Sequence, residues 1–75
     1  MNNQRRKAIM EISKKIEAIT QHLRSVLDEE QEAFDNMPEG IQGSDRGMES
    51  EEAQESIDAA IESLEDAIVA LEEIC

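Results

Sequence analysis

The sequence predicts an all-α protein, an antiparallel two-helix hairpin (coiled coil) that pairs with a second copy into a four-helix bundle. Apolar residues recur at alternating spacings of three and four along two long stretches, which is the pattern of a helix with one apolar face. The only proline, Pro38, separates the two stretches. A chain of 75 residues with one aromatic side chain is also small for a stable core, so we expect a dimer.

The first predicted helix spans about residues 4–36. Pro38 disfavours helical geometry at Met37, so the helix should end near residue 36. Glu30 interrupts its apolar seam, and it either fixes the register of helix pairing or marks a place where the helices splay. Leu27 and Phe34 widen the seam near its end. The apolar seam of this helix consists of Ile9, Ile12, Ile16, Ile19, Leu23, Val26, Ala33 and Met37.

The predicted loop spans residues 37–44, "MPEGIQGS". A turn that closes a hairpin is one interpretation, with Met37 and Ile41 at the end of the seam. The alternative is a recognition loop in which backbone N–H groups near Ser44, together with Arg46, bind a phosphate or carboxylate. Ser44 is also the predicted N-cap of the helix that follows.

The second predicted helix spans about residues 45–74, and with the first it makes a single domain of residues 1–75. Its apolar face is wider than a pair of helices needs, which indicates three or four helices in contact. A flanking column repeats every seven residues at Ala53, Ala60, Ala67 and Ile74. The predicted oligomer seam consists of Ile57, Ile61, Leu64, Ile68 and Leu71, and Cys75 would continue it.

The net charge of −12 is unevenly distributed. Residues 1–27 hold six cationic and two anionic side chains, whereas residues 28–75 hold one cationic and seventeen anionic side chains. Folding back would set the basic start of the first helix beside the acidic end of the second. The loop end would stay acidic, and we predict that it binds a partner. The carboxylates of this surface are Asp28, Glu29, Glu32, Asp35, Glu39, Asp45, Glu49, Glu51, Glu52 and Glu55.

Charge density suggests what such a surface could bind. Eleven carboxylates lie between Asp45 and Glu73, roughly one per 4 Å at the rise of an α-helix. Two such helices side by side approach the density of duplex DNA, about one charge per 1.7 Å. The predicted partner is therefore a basic protein surface, as on a nucleic-acid-binding protein, and direct nucleic-acid binding is not expected. The alternative is that the carboxylates only keep the protein soluble.

Other functional classes find little support in the sequence. It has no nucleophile–base pair and no Gly-rich phosphate motif, so we predict no enzymatic activity, no cofactor and no metal site. The single Cys75 excludes a disulfide within the chain. The longest apolar run, residues 67–71, is too short to cross a membrane, and the start shows no apolar signal region, so we expect a cytoplasmic protein.

The stretch "DEEQEAFDNMPEGIQGSDRG", followed by "MESEEAQESIDAAIESLEDAIVALEEI", resembles a group of small acidic helical-hairpin proteins, uncharacterised in function, that bacterial phages and prophages encode. The resemblance implies the hairpin fold and a mobile element acting in a bacterial host cell. The first expected function is an inhibitor of a host or defence protein that acts through a DNA-mimic-like acidic surface. The alternatives are a coiled-coil assembly adaptor and a small-ligand sponge with sites near Ser44 and Arg46.

Overall fold

The computed structural model describes residues 1–74, and this part of the chain is all-helical, as predicted. Helix α1 spans Asn3–Asp35, α2 spans Glu39–Gln42 and α3 spans Asp45–Glu72. The predicted loop at residues 37–44 therefore contains a one-turn helix, which is too short to show a periodic apolar pattern. The molecule is a rod of 58 × 14 × 12 Å.

Helix α1 is closed at both ends by side chains. The Asn2 side chain accepts a hydrogen bond from the backbone N–H of Arg5 at 2.8 Å, as an N-cap does. At the other end, the Gln42 side-chain amide donates to the carbonyl oxygens of Phe34 and Met37, at 3.0 and 3.1 Å. Because the last carbonyl groups of a helix lack partners within it, Gln42 ties α2 to the end of α1.

Ser44 occupies the N-cap position of α3 in extended geometry, but its side chain does not cap that helix. Its hydroxyl donates instead to the carbonyl oxygen of Ile41, at the end of α2. The prediction of Ser44 as the N-cap was therefore right in position and wrong for the hydrogen bond. The Ile41 carbonyl oxygen, which takes the Ser44 hydroxyl, belongs to α2, and this short helix was not predicted.

Gly47 allows α3 to approach α2 closely. A Cβ at this position would lie 1.9 Å from the backbone oxygen of Gln42 and 2.4 Å from its carbonyl carbon. Both are far below any tolerable contact, so every other residue would force α2 and α3 apart. Gly40, in α2, has open space around it.

Contacts between α1 and α3 pair later residues of α1 with earlier residues of α3. Arg24 of α1 forms an ion pair with Glu65 of α3. Six residues later in α1, the Glu30 carboxylate accepts a hydrogen bond at 2.7 Å from the hydroxyl of Ser50, which precedes Glu65 by fifteen residues. The start of α1 thus lies beside the end of α3.

The seam between α1 and α3 consists of buried and half-buried residues at alternating spacings of three and four. Of the large apolar side chains in residues 1–74, Ile61 alone is buried, with 4% exposed. In α1 and just beyond its end, the seam residues are Ile9, Ser13, Ile16, Thr20, Leu23, Leu27, Glu30, Phe34 and Met37. In α3 they are Gly47, Ser50, Gln54, Ile57, Ile61, Leu64, Ile68 and Leu71.

This seam corrects the predicted one in α1. Ile12, Ile19 and Val26 were predicted to lie in it, yet they are 49%, 56% and 40% exposed. The residues next to them pack against α3 instead, although two are the polar Ser13 and Thr20. Burial of Thr20 leaves no unsatisfied hydroxyl, because the group donates to the carbonyl oxygen of Ile16 at 2.7 Å.

Candidate interaction surfaces

The seam divides the molecule into two long edges with different chemistry. We call one the polar edge: it follows the seam on the side of Arg24 and Glu65, whose ion pair bridges α1 and α3. We call the opposite one the apolar edge. The polar edge consists of Met10, Glu17, Arg24, Gln31, Glu51, Asp58, Glu65 and Glu72. The apolar edge consists of Ile12, Ile19, Val26 and Ala33 from α1, with Ala53, Ala60, Ala67 and Ile74 from the α3 segment.

The polar edge contains an open cavity of about 380 Å³. Glu17, Arg24, Glu65 and Glu72 line it together with apolar groups of α3 that include Val69. Its charged lining consists of three carboxylates and one guanidinium group, and the guanidinium is paired with Glu65. The cavity thus continues the acidic character of the surface.

The apolar edge carries no charged side chain at its eight positions, although 26 of the 75 residues are charged. Three of the four residues in its α1 column have large branched side chains, whereas three of the four in its α3 column are alanine. The α1 column was predicted to lie inside the seam, so it was not identified as a surface. The sequence did contain a sign of the correct seam. Leu27 and Phe34, which were predicted only to widen the seam, belong to the series of α1 residues that packs against α3.

The ten carboxylates predicted to bind a partner are all exposed. Within residues 1–74, the structure shows no hydrogen bond or ion pair for any of these ten side chains. They lie along the second half of α1, on α2 and along the first half of α3, so the structure brings them to one end of the rod.

We call residues 21–63 the loop half and residues 1–20 with 64–74 the free half. The loop half holds two cationic and thirteen anionic side chains, a formal charge of −11. The free half holds five cationic and six anionic side chains, a charge of −1. Nearly all of the net charge is therefore confined to one half of a molecule 58 Å long.

The five residues predicted as an oligomer seam lie against α1 of the same chain. Ile61 is buried there, and the other four are half-buried: Ile57, Leu64, Ile68 and Leu71. Within the single chain, α1 therefore covers part of this face, and its role between two copies stays a prediction.

The two residues predicted to bind a small ligand, Ser44 and Arg46, lie at the start of α3. The Ser44 hydroxyl is engaged by the carbonyl oxygen of Ile41. Arg46 is exposed in the first turn of α3. The Ser44 hydroxyl therefore serves the turn between α2 and α3, whereas the predicted ligand groups were the backbone N–H groups near Ser44 together with Arg46, and their binding of a ligand stays a prediction.

A polar layer interrupts the apolar seam near the loop end. The Ser50 hydroxyl donates to Glu30 at 2.7 Å, and the side-chain amide of Gln54 donates to the Ser50 oxygen at 3.2 Å. Glu30 was predicted either to fix register or to mark a splayed region. The hydrogen bonds favour the first interpretation, because they join specific positions of α1 and α3.

No helix within residues 1–74 has both the length and the apolar character needed to cross a membrane. In the same residues, no group of three or more potential metal ligands is placed to hold an ion. Cys75 lies outside the described residues.

Comparison of the chain with protein-family models, curated proteins and solved structures gave no match. The resemblance to phage-encoded proteins therefore stays a prediction.

Proposed function

We propose that this protein is a non-enzymatic protein-binding module of the bacterial cytoplasm. In this proposal the chain is an antiparallel helical hairpin that pairs with a second copy into a four-helix bundle. Its acidic loop end, the ten carboxylates from Asp28 to Glu55 named above, binds a basic surface on another protein.

The observation that carries the proposal is the separation of charge from the contacts that hold the fold. The ten carboxylates are exposed, and their side chains form no hydrogen bond or ion pair within residues 1–74. Like charges held close together repel and destabilise the compact state. A basic partner would remove this repulsion, so the loop end is better suited to binding than to folding.

The chemistry of the loop end favours one class of partner. A dense row of carboxylates on rigid helices presents charge in the manner of a nucleic-acid backbone. A nucleic-acid-binding protein of the host or of its defence systems has a groove that such a surface could occupy. The protein would then act as an inhibitor by excluding DNA or RNA from that groove.

A second candidate function is a coiled-coil assembly adaptor. The apolar edge favours it, because its exposed Ile12, Ile19 and Val26 form a surface that association would cover. In that case the acidic loop end would only be solvated, and binding to other proteins would depend on the apolar edge.

The test is a charge reversal with a matched control. The loop-end variant changes Glu49, Glu51, Glu52 and Glu55 to lysine. The control changes four exposed carboxylates of the free half to lysine: Glu11, Asp66, Glu72 and Glu73. Both variants alter the net charge by the same amount, and circular dichroism would check that each keeps its helicity.

Each protein would be used to capture partners from bacterial lysate at low and high salt, with competition by duplex DNA. We expect the wild type and the control to capture a nucleic-acid-binding protein at low salt, and DNA or high salt to release it. The loop-end variant should capture none. Equal capture by the loop-end variant would contradict the proposal, and loss only on substitution of the apolar edge would favour the adaptor.

A further inference from the structure

We propose that the apolar edge is the docking surface for a second copy of this chain. The two copies lie side by side and point in opposite directions (head to tail), so the loop half of each lies beside the free half of the other. This inference rests on the dimer in the proposed function and deepens it by naming the surface and the orientation. It does not depend on the acidic loop end binding another protein.

A single chain leaves an unusually large area exposed. Its accessible surface is 5736 Å² for a mass of 8.4 kDa, whereas a compact monomer of that mass exposes about 4,600 Å². The difference, roughly 1,100 Å², exceeds the area of about 800 Å² that each partner loses in a standard interface. The radius of gyration is 17.1 Å, against about 11 Å for a compact domain of this length.

The chemistry of the apolar edge suits a buried interface. Burying a charged side chain without a partner is unfavourable, and the eight positions of the apolar edge are uncharged. Ile19 is 56% exposed and Ile12 is 49% exposed, so a partner would remove a large apolar area from water. The alanines of the α3 column allow a second helix to approach closely.

Charge complementarity gives the orientation of the two copies. If both loop halves lay at the same end, two charges of −11 would face each other. In the head-to-tail arrangement each loop half, at −11, lies beside a free half at −1 that contains five cationic side chains. Repulsion is lower in the second arrangement. The two acidic loop ends would then lie at opposite ends of the dimer.

The docking surface is tested with two substitutions of equal starting exposure. Ile19, on the apolar edge, is 56% exposed, and Val69, on the other side of the molecule, is 55% exposed. We expect the wild type to sediment at twice the mass of the 8.4-kDa chain. Ile19→Glu should weaken dimerisation at least about 100-fold, and Val69→Glu should leave it unchanged.

A wild type that stays monomeric at high concentration would overturn the proposal, as would an Ile19→Glu variant that dimerises normally. If Ile19→Glu also lost helicity, Ile19→Ala would report the dimer affinity without introducing a charge. These measurements involve no other protein, so failure of partner capture leaves them unaffected.

The orientation is tested with one spin label per chain, at Gly40→Cys in a Cys75→Ser background. Gly40 lies in α2 at the loop end, with open space around it. In the head-to-tail dimer the labels should be separated by a distance approaching the molecular length of 58 Å. A distance of about 10–25 Å, set by the spacing of neighbouring helices, would place both loop ends together and overturn the orientation.

Discussion

At the scale of single residues, the turn between the long helices depends on two side-chain identities that do not follow from periodicity. Gln42 donates two hydrogen bonds to the end of α1. Gly47 lets α3 pass within contact of the Gln42 backbone. Residues 37–44 were predicted to be a loop, yet these contacts pack the segment against the end of α1 and the start of α3.

Gly47→Ala should therefore destabilise the protein, although alanine is the better helix former. The added Cβ meets backbone atoms that cannot rotate away, so we expect a loss of about 1–3 kcal/mol. Gly40→Ala is the matched control, and its open surroundings predict a gain of about 0.4–1 kcal/mol. Thermal unfolding at equal chain concentration measures both, and an unchanged melting temperature for Gly47→Ala would contradict the steric argument.

At the scale of helices, the polar layer and the small seam residues set how α1 meets α3. Ser50 donates to Glu30 across the two helices and accepts from Gln54 of its own helix. A shift of register would separate these groups and leave them without hydrogen bonds in a half-buried layer. The layer thus favours one pairing of the helices over the alternatives that apolar residues alone would allow.

Replacing Glu30 and Gln54 by leucine and Ser50 by alanine should raise stability by about 1 kcal/mol or more, since apolar contacts replace a half-buried charge and no buried hydroxyl is left without a partner. The variant should also lose its unique register, because leucine packs in several alignments. Thermal unfolding and the number of amide peaks in a ¹H–¹⁵N spectrum measure the two effects. Gln31→Leu, at an exposed site, is the control. A single sharp set of peaks from this variant would show that the layer does not fix register.

At the scale of the whole molecule, charge opposes folding at one end. The loop half carries −11 and the free half −1. The ion pair between Arg24 and Glu65 is about half exposed at both side chains, and such surface pairs contribute little. Repulsion within the loop half should therefore exceed attraction elsewhere in the chain.

Salt should consequently stabilise the protein. Raising NaCl from 10 mM to 1 M shortens the screening length from about 30 Å to about 3 Å, which weakens the repulsion within the loop half. We expect the melting temperature to rise by several degrees. The variant with lysine at Glu49, Glu51, Glu52 and Glu55 should respond much less. A melting temperature that falls with salt would mean that attractive ion pairs outweigh the repulsion.

The sequence by itself determined the all-α class, the two long helices and the acidic end. Spacings of three and four require only local geometry, and Pro38 ends α1 through its effect on neighbouring backbone. The charge difference between the halves follows from composition once the chain folds back. These features depend on residues close together in the chain.

Only the tertiary structure decided which residues of α1 face α3. Ile12 and Ser13 are neighbours, but one residue turns the side chain by about 100° around a helix. The more apolar column was the natural prediction for the seam, yet the helices pack through Ser13, Thr20, Leu27 and Phe34. That choice depends on contacts between residues distant in sequence, such as the hydrogen bond from Ser50 to Glu30 and the ion pair between Arg24 and Glu65.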